Sequence, residues 1–198
     1  MDYLCYRFSE LPITEMDFSI LSAEEQLFTF KRKQARLLLR QEIARRTHQA
    51  PADIRFSTNE HGKPYTEGIH FNISHSQDLL CLAFHHSDIG VDIQHKCEKY
   101  NIDRLAPRMM SEEQLQRFNN STDRERDFYY CWSIAEALVK LHGSTIWHAK
   151  DYPFILHGTS VSLSFENEIE VQLFQPQQGY YGAIAYRLST CHPLKTNI

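Results

Sequence analysis

The stretch from Phe128 to Gly143 reads FYYCWSIAEALVKLHG, and its spacing predicts a helix that is apolar nearly all the way round. Phe128, Tyr129, Tyr130, Cys131, Trp132, Ile134, Leu138, Val139 and Leu141 leave no polar stripe wide enough for an ordinary surface helix. Such a helix is buried, so the rest of the chain has to pack around it. Two charges interrupt it: Glu136 and Lys140 stand four residues apart, with Trp132 one turn before them, so all three point roughly the same way. Two readings fit the pair. It is either an exposed ion pair on the one open edge of the helix, or a carboxylate and a cation facing an anionic, metal-bound ligand.

At 198 residues the chain can bury a substantial core, as one domain or as two joined halves of about 100 residues each. No apolar run approaches the roughly 18 residues of a membrane span, and the opening MDYLCYRFSE has neither the basic start nor the apolar core of a signal peptide. A cytoplasmic protein without membrane association is expected. Cys5, Cys81, Cys97, Cys131 and Cys191 are odd in number, widely spaced and without a CxxC pair, which argues against a disulfide framework and a structural zinc site and leaves them as packing residues. The formal charge of −4 is unevenly spread, with cations concentrated between Lys31 and Arg46.

Outward from the central helix, Thr122 is its expected cap and Gly143 its C-terminal residue. Near the N-terminus, Ser22 and Glu25 form a capping-box start for a helical stretch to about His48. That helix is amphipathic and basic. Its cations suit a solvated face, phosphate capture, nucleic-acid backbone or an acidic protein partner. Ile54–Ser57 reads as a short strand before the turn at 59–64. Strands are then expected at His70–Ser74, Leu79–Phe84 and Gly90–Gln94, separated by short polar turns and forming an antiparallel meander. In the third, Val91 and Ile93 share one face while Asp92 and Gln94 share the other, where two oxygens could meet one hard cation; Gly90 admits a close neighbour. Ser111 caps another helix. A second meander is expected at Val161–Phe165, Glu168–Phe174 and Tyr180–Arg187. The reading is an α+β protein of two similar halves, 1–97 and 98–198, each with helices packed on a small antiparallel sheet. Trp132 is read as core, His85, His86 and His148 as surface turn residues, and His142 as the frayed helix end.

Five segments occur in a fixed order: Ala35-Arg36-Leu37-Leu38-Leu39-Arg40, Gly62-Lys63-Pro64, Phe71-Asn72-Ile73-Ser74-His75-Ser76, Ile89-Gly90-Val91-Asp92-Ile93, and Trp132 through Lys140. Together they resemble the 4'-phosphopantetheinyl transferase superfamily, in its larger, surfactin-synthetase class. The resemblance implies two pseudo-symmetric halves with coenzyme A and Mg2+ in the cleft between them. It implies transfer of the phosphopantetheine arm to a serine of an apo acyl or peptidyl carrier protein, by a monomer. Carried over by matching position, Asp92, Gln94 and Glu136 would hold the metal, Glu136 would also help deprotonate the carrier serine, and Lys140 would stabilise the leaving phosphate. Arg36, Lys63, Ser74 and His75 would hold the coenzyme's phosphates. Three positions depart from the family pattern: Gln94 where a glutamate is usual, Ala135 where a lysine is usual, and Ser144 in place of a second glycine. The first two are also what an inactive relative that binds coenzyme A or a carrier protein would show. A nucleic-acid module on Lys31–Arg46 is disfavoured by the negative total charge and the lack of a nucleic-acid motif, and a zinc enzyme on His85, His86, His95 and Cys97 by their spacing.

Overall fold

The computed structural model describes residues 1–11 and 23–188, with the backbone alone for 23–26. The capping box at Ser22 and Glu25 lies outside the described side chains. The architecture is α+β, as the sequence predicts. In chain order the elements are β1 (Asp2–Arg7), α1 (Ala23–Thr47), β2 (Ser57–Thr58), β3 (Pro64–Tyr65), β4 (His70–Ser76), β5 (Leu79–His85) and β6 (Ile89–His95). They continue with α2 (Ile102–Met109), α3 (Glu112–Asn119), α4 (Arg124–His142), β7 (Phe154–His157), β8 (Ser160–Leu163), β9 (Ile169–Phe174) and β10 (Tyr180–Arg187). The cavity described below lies among α1, β4, β6 and α4.

Two three-stranded antiparallel sheets form the body, ordered β1-β5-β4 and β6-β10-β9. The helix α1 lays Ala35, Leu39, Ile43 and Ala44 on Leu80, Leu82 and Phe84 of β5. The opposite face of β5, Leu79, Cys81 and Ala83, packs on Ile89, Val91 and Ile93 of β6 and Ile184 of β10. On the far side of the second sheet lies α4, whose Cys131, Ile134, Ala137, Leu138 and Leu141 share a core with Ala183 and Ala185. The layers therefore run α1, sheet, sheet, α4. The alternation of side chains along a strand is what lets β5 and β6 each serve two layers. As expected, α4 is buried on nearly every side.

The expected meanders need correction. The first two strands pair antiparallel, but β6 leaves them after the turn at 86–88 and pairs with β10. In the tail, 160–163 pairs with β7, which the sequence reading left out, and not with β9. A short turn permits a hairpin but does not impose one; here burial of both faces of β6 between β5 and α4 decides its partner. Ser57–Thr58 takes the place of the strand expected at Ile54–Ser57. The cap of α4 is Asp123, one residue after Thr122, accepting from the Arg126 N–H at 3.1 Å. Gly143 ends the helix at φ 63°, and Ser111 caps α3. His85 is buried, bonded to Ser87 Oγ at 2.7 Å with its ring against Tyr186. Nor is His142 frayed: it stacks on Tyr152 at 4.1 Å and meets Glu166 at 3.3 Å.

Candidate functional site

Gly90 sets the distance between the two elements that carry most of the site. A Cβ there would stand 2.1 Å from the Ala137 carbonyl oxygen and 2.4 Å from the Leu141 nitrogen. With glycine, α4 lies directly on β6, and the next side chain on the same strand face, Asp92, meets Lys140. Their N···O distance is 2.6 Å, with Asp92 only 4% exposed and Lys140 27%.

Asp92 is surrounded by donors. Its Oδ1 accepts from Ser74 Oγ at 2.8 Å and from Lys140, and its Oδ2 accepts from Gln94 Nε2 at 2.8 Å. Glu136 stands one turn before Lys140, and Trp132, one turn before Glu136, packs on Tyr100 and Phe128 with its indole toward that carboxylate. Burial pushes the Glu136 carboxyl above the ordinary carboxylate range, the Asp92 charge pushes it further, and Lys140 and Trp132 oppose both. Asp92 and Glu136 face a common space. The chain answers the field of that space with the ammonium of Lys140. A hard cation suits the same seat: Mg2+ takes one or two carboxylates and completes its shell with substrate phosphates and water. Asp92 and Glu136 supply the charges, and Gln94 could add its Oε1 if its amide turned over.

These groups line a cavity of about 830 Å³. To the lining α1 contributes Arg32 and Arg36, together with Lys31 and Arg40, which also donate to the carbonyl oxygens of Gln77 and of Pro51 and Ile54, while Phe28, Leu39, Phe56 and Ile73 give part of the wall an apolar surface. His75 also lines it. Partial loss of hydration lowers the His75 pKa below the usual imidazole value, and the Lys140 and Lys31 ammoniums lower it further. The lining therefore carries both cations and carboxylates, which suits a phosphate ester bound with a metal.

Of the expected site residues, Arg36, Ser74, His75, Asp92, Gln94, Glu136 and Lys140 come together in this cavity. Lys63 does not join them. Its Nζ donates to the carbonyl oxygens of Ile89 and Leu141, each at 3.1 Å, and it borders a second cavity of about 340 Å³. It fastens the β2–β3 hairpin to the ends of β6 and α4, while its neighbours Gly62 and Pro64 line the main cavity. The other end of α1 uses its cations internally: Arg45 and Arg46 pair with Glu42, and Arg46 also pairs with Asp2. Phe56 and Thr58 also line the cavity, and nothing local in the sequence marks them as wall residues.

A family model described as the 4'-phosphopantetheinyl transferase superfamily matches residues 88–186. A 4'-phosphopantetheinyl transferase of Bacillus subtilis is 30% identical over 169 residues, 79% of this chain and 72% of the relative. The chain belongs to the 4'-phosphopantetheinyl transferase superfamily. Within it, the chain resembles 4'-phosphopantetheinyl transferase Sfp of Bacillus subtilis (strain 168), 33% identical over 142 residues, and 4'-phosphopantetheinyl transferase HetI of Nostoc, 27% identical over 118. These matches cover 69% and 55% of this chain, and 60% and 50% of the respective relatives. Two of the three departures from the superfamily pattern now have places: Gln94 turns its amide nitrogen to Asp92, and Ala135 is buried in the core beneath α4. Among the described residues, no helix is long and apolar enough to cross a membrane.

Proposed function

We propose that this chain transfers the 4'-phosphopantetheine group of coenzyme A to a serine of an apo acyl or peptidyl carrier protein, with Mg2+ as cofactor and one chain supplying the whole site. The observation that carries the reading is the convergence of Asp92, Glu136 and Lys140 with the cations of α1 on one cavity. Family membership and the printed names of the relatives support it.

Arg36 and His75, joined by Lys31 and Arg32, hold the coenzyme's phosphates from the α1 side. Asp92 and Glu136 would hold Mg2+, which when bound neutralises charge on the phosphate oxygens as the group is transferred. Glu136 takes the proton of the carrier serine, directly or through a water; burial and the Asp92 charge raise its pKa, which strengthens it as a base. The serine oxygen bonds to the phosphorus of the pantetheine arm while the bond to the bridging oxygen breaks, and adenosine bisphosphate leaves. Lys140 turns from Asp92 to the oxygen that gains charge. The exposed cations of α1 with Phe28, 62% exposed, form a rim suited to an acidic helix of a carrier protein.

Intact-mass analysis of apo carrier proteins incubated with this chain, coenzyme A and Mg2+ tests the reading. The expected result is a gain of one phosphopantetheine, lost in Glu136→Gln while coenzyme A binding survives. Transfer retained by Glu136→Gln would remove Glu136 from its role. A second reading rests on Gln94, which takes a position beside Asp92 without bringing a charge: a relative that binds coenzyme A without transferring its arm. Binding by calorimetry with no mass gain on any carrier would select it.

A further inference from the structure

The three polar residues of Asn72-Ile73-Ser74-His75-Ser76 that face β6 form a seam between the sheets. Asn72 Oδ1 accepts from the Val91 N–H at 2.9 Å, Ser74 Oγ from Ile93 N–H at 3.2 Å, and Ser76 Oγ from His95 N–H at 3.0 Å. Both strands advance two residues at each step, so β4 and β6 run parallel without a backbone ladder between them. Side chains interposed in this way hold the strands farther apart than the roughly 4.8 Å of directly paired strands. Asn72 and Ser76 serve the seam through these backbone bonds. Ser74 does more: its hydroxyl also donates to Asp92 and accepts from Lys140 at 3.2 Å.

A serine hydroxyl has one proton to donate and two lone pairs, and all three are engaged here. To bond a phosphate oxygen, Ser74 would have to withdraw its proton from Asp92. We infer that Ser74 is a positioning residue for Asp92, setting the rotamer of that carboxylate toward the cation seat. The inference rests on the proposed function, since it assigns a part within that site.

The test is Ser74→Ala, read two ways on the full chain: coenzyme A affinity by calorimetry in EDTA, and the Mn2+ affinity of the coenzyme A complex by calorimetry. A hydrogen bond to a charged group typically changes an equilibrium by about tenfold or more. The expected result is a loss of about tenfold in Mn2+ affinity, with metal-free coenzyme A affinity within about twofold of the parent. Ser74→Thr, which keeps the hydroxyl, restores the metal affinity, and Ser76→Ala lowers the thermal midpoint while leaving metal affinity in place. A tenfold loss of metal-free coenzyme A binding with unchanged Mn2+ affinity would make Ser74 a phosphate ligand and overturn the inference. An equal metal defect in Ser76→Ala would overturn it too, by assigning the effect to the seam as a whole. If Ser74→Ala does not fold, Ser74→Cys, with its weaker donor, takes its place under the same criteria. Failure of the parent chain to bind coenzyme A would instead sink the proposed function, so the two failures are told apart.

A second inference rests on β-sheet register. Cys5 on β1 lies directly opposite Cys81 on β5. The Phe8 N–H bonds to the Asp78 carbonyl oxygen, and hydrogen-bonded and non-bonded pairs alternate along an antiparallel ladder, so Cys5 and Cys81 form a non-bonded pair, with Cα atoms about 4.5 Å apart. That separation lies in the range a disulfide spans. We propose that Cys5 and Cys81 are a reversible thiol pair that a peroxide converts to a disulfide. Cys5, half-buried where Cys81 is fully buried, meets the peroxide first: its sulfur gains an oxygen and one water leaves, then the Cys81 sulfur displaces that oxygen as a second water. The neighbouring Cys81 thiol lowers the Cys5 pKa and favours Cys5 as the attacked thiolate. The full chain treated with hydrogen peroxide, alkylated and mapped by peptide mass should yield a Cys5–Cys81 linked peptide, two hydrogens lighter than its parts and restored by thiol reductant. Cys5→Ser should abolish it. Absence of the link, a link to another cysteine, or accumulation of sulfinic acid on Cys5 would each overturn the proposal.

Discussion

At the residue scale, the Asp92–Lys140 pair makes stability depend on whichever cation sits at the carboxylate. Removing the ammonium leaves a nearly buried charge uncompensated, which costs about 2–3 kcal/mol for a pair with one partly exposed member. Lys140→Met is therefore expected to unfold at a lower temperature than the parent, and Mn2+ or Mg2+ should recover most of the loss while barely moving the parent; equal metal responses would refute a shared seat. His75 gives a pH dependence. Its folded pKa lies below the ordinary imidazole value of 6.5, so below that value the unfolded chain binds more protons than the folded one. The stability contribution is full above pH 6.5 and is lost as pH falls toward the folded pKa. Denaturant midpoints measured across that window should fall less steeply for His75→Gln than for the parent. Asp92, Glu136 and Lys140 were legible from pattern, because charge inside an apolar helix or strand calls for a reason. Lys63 was not: nothing in Gly62-Lys63-Pro64 says that its ammonium will find two carbonyl oxygens on other elements.

At the element scale, the fit of α4 on β6 is set by the missing side chain at Gly90. Gly90→Ala forces helix and strand apart, since the atoms in the way are backbone and cannot rotate aside. The expected cost is about 2–3 kcal/mol, with weakened coenzyme A binding because Asp92 moves relative to Lys140 and Glu136. Calorimetric unfolding and binding on one preparation would check both, and an unchanged midpoint would mean that the helix can shift freely. The elements themselves were largely legible where periodicity was strong: α1, α4 and the strands β4, β5, β6 and β10 lie close to their expected places. The helix α2 was missed although Asn101 caps it, because Pro107 stands inside its last turn and argues against a helix. Pairing was the least legible feature. Which strand β6 joins depends on burial against α4, a contact between residues far apart in sequence.

At the scale of the whole molecule, the handover between sheets falls at the turn 86–88, because β6 is hydrogen-bonded into the second sheet. A chain cut at 86–88 keeps both sheets whole. A cut after Cys97 removes β6 from the β10 edge and leaves it on the fragment that holds only the first sheet. Co-expressed fragments 1–87 and 88–198 are expected to associate and bind coenzyme A, whereas 1–97 with 98–198 should aggregate; the reverse result would place the junction after β6.

The seam between β4 and β6 also makes the chain its own recorder of cleft opening. Along β6 the even-numbered residues face β10 in hydrogen-bonded pairs, as the bonds at both ends of the strand fix, between Arg187 N–H and the Asp88 carbonyl and between Lys96 N–H and the Gly179 carbonyl. The amides of Val91, Ile93 and His95 instead rest on side-chain oxygens of β4. Whenever the two sheets part, those three protons become free to trade with deuterium while their even-numbered neighbours stay locked. An alternating pattern of isotope uptake along one strand would then time how often the cleft opens, residue by residue, in a chain with no label attached.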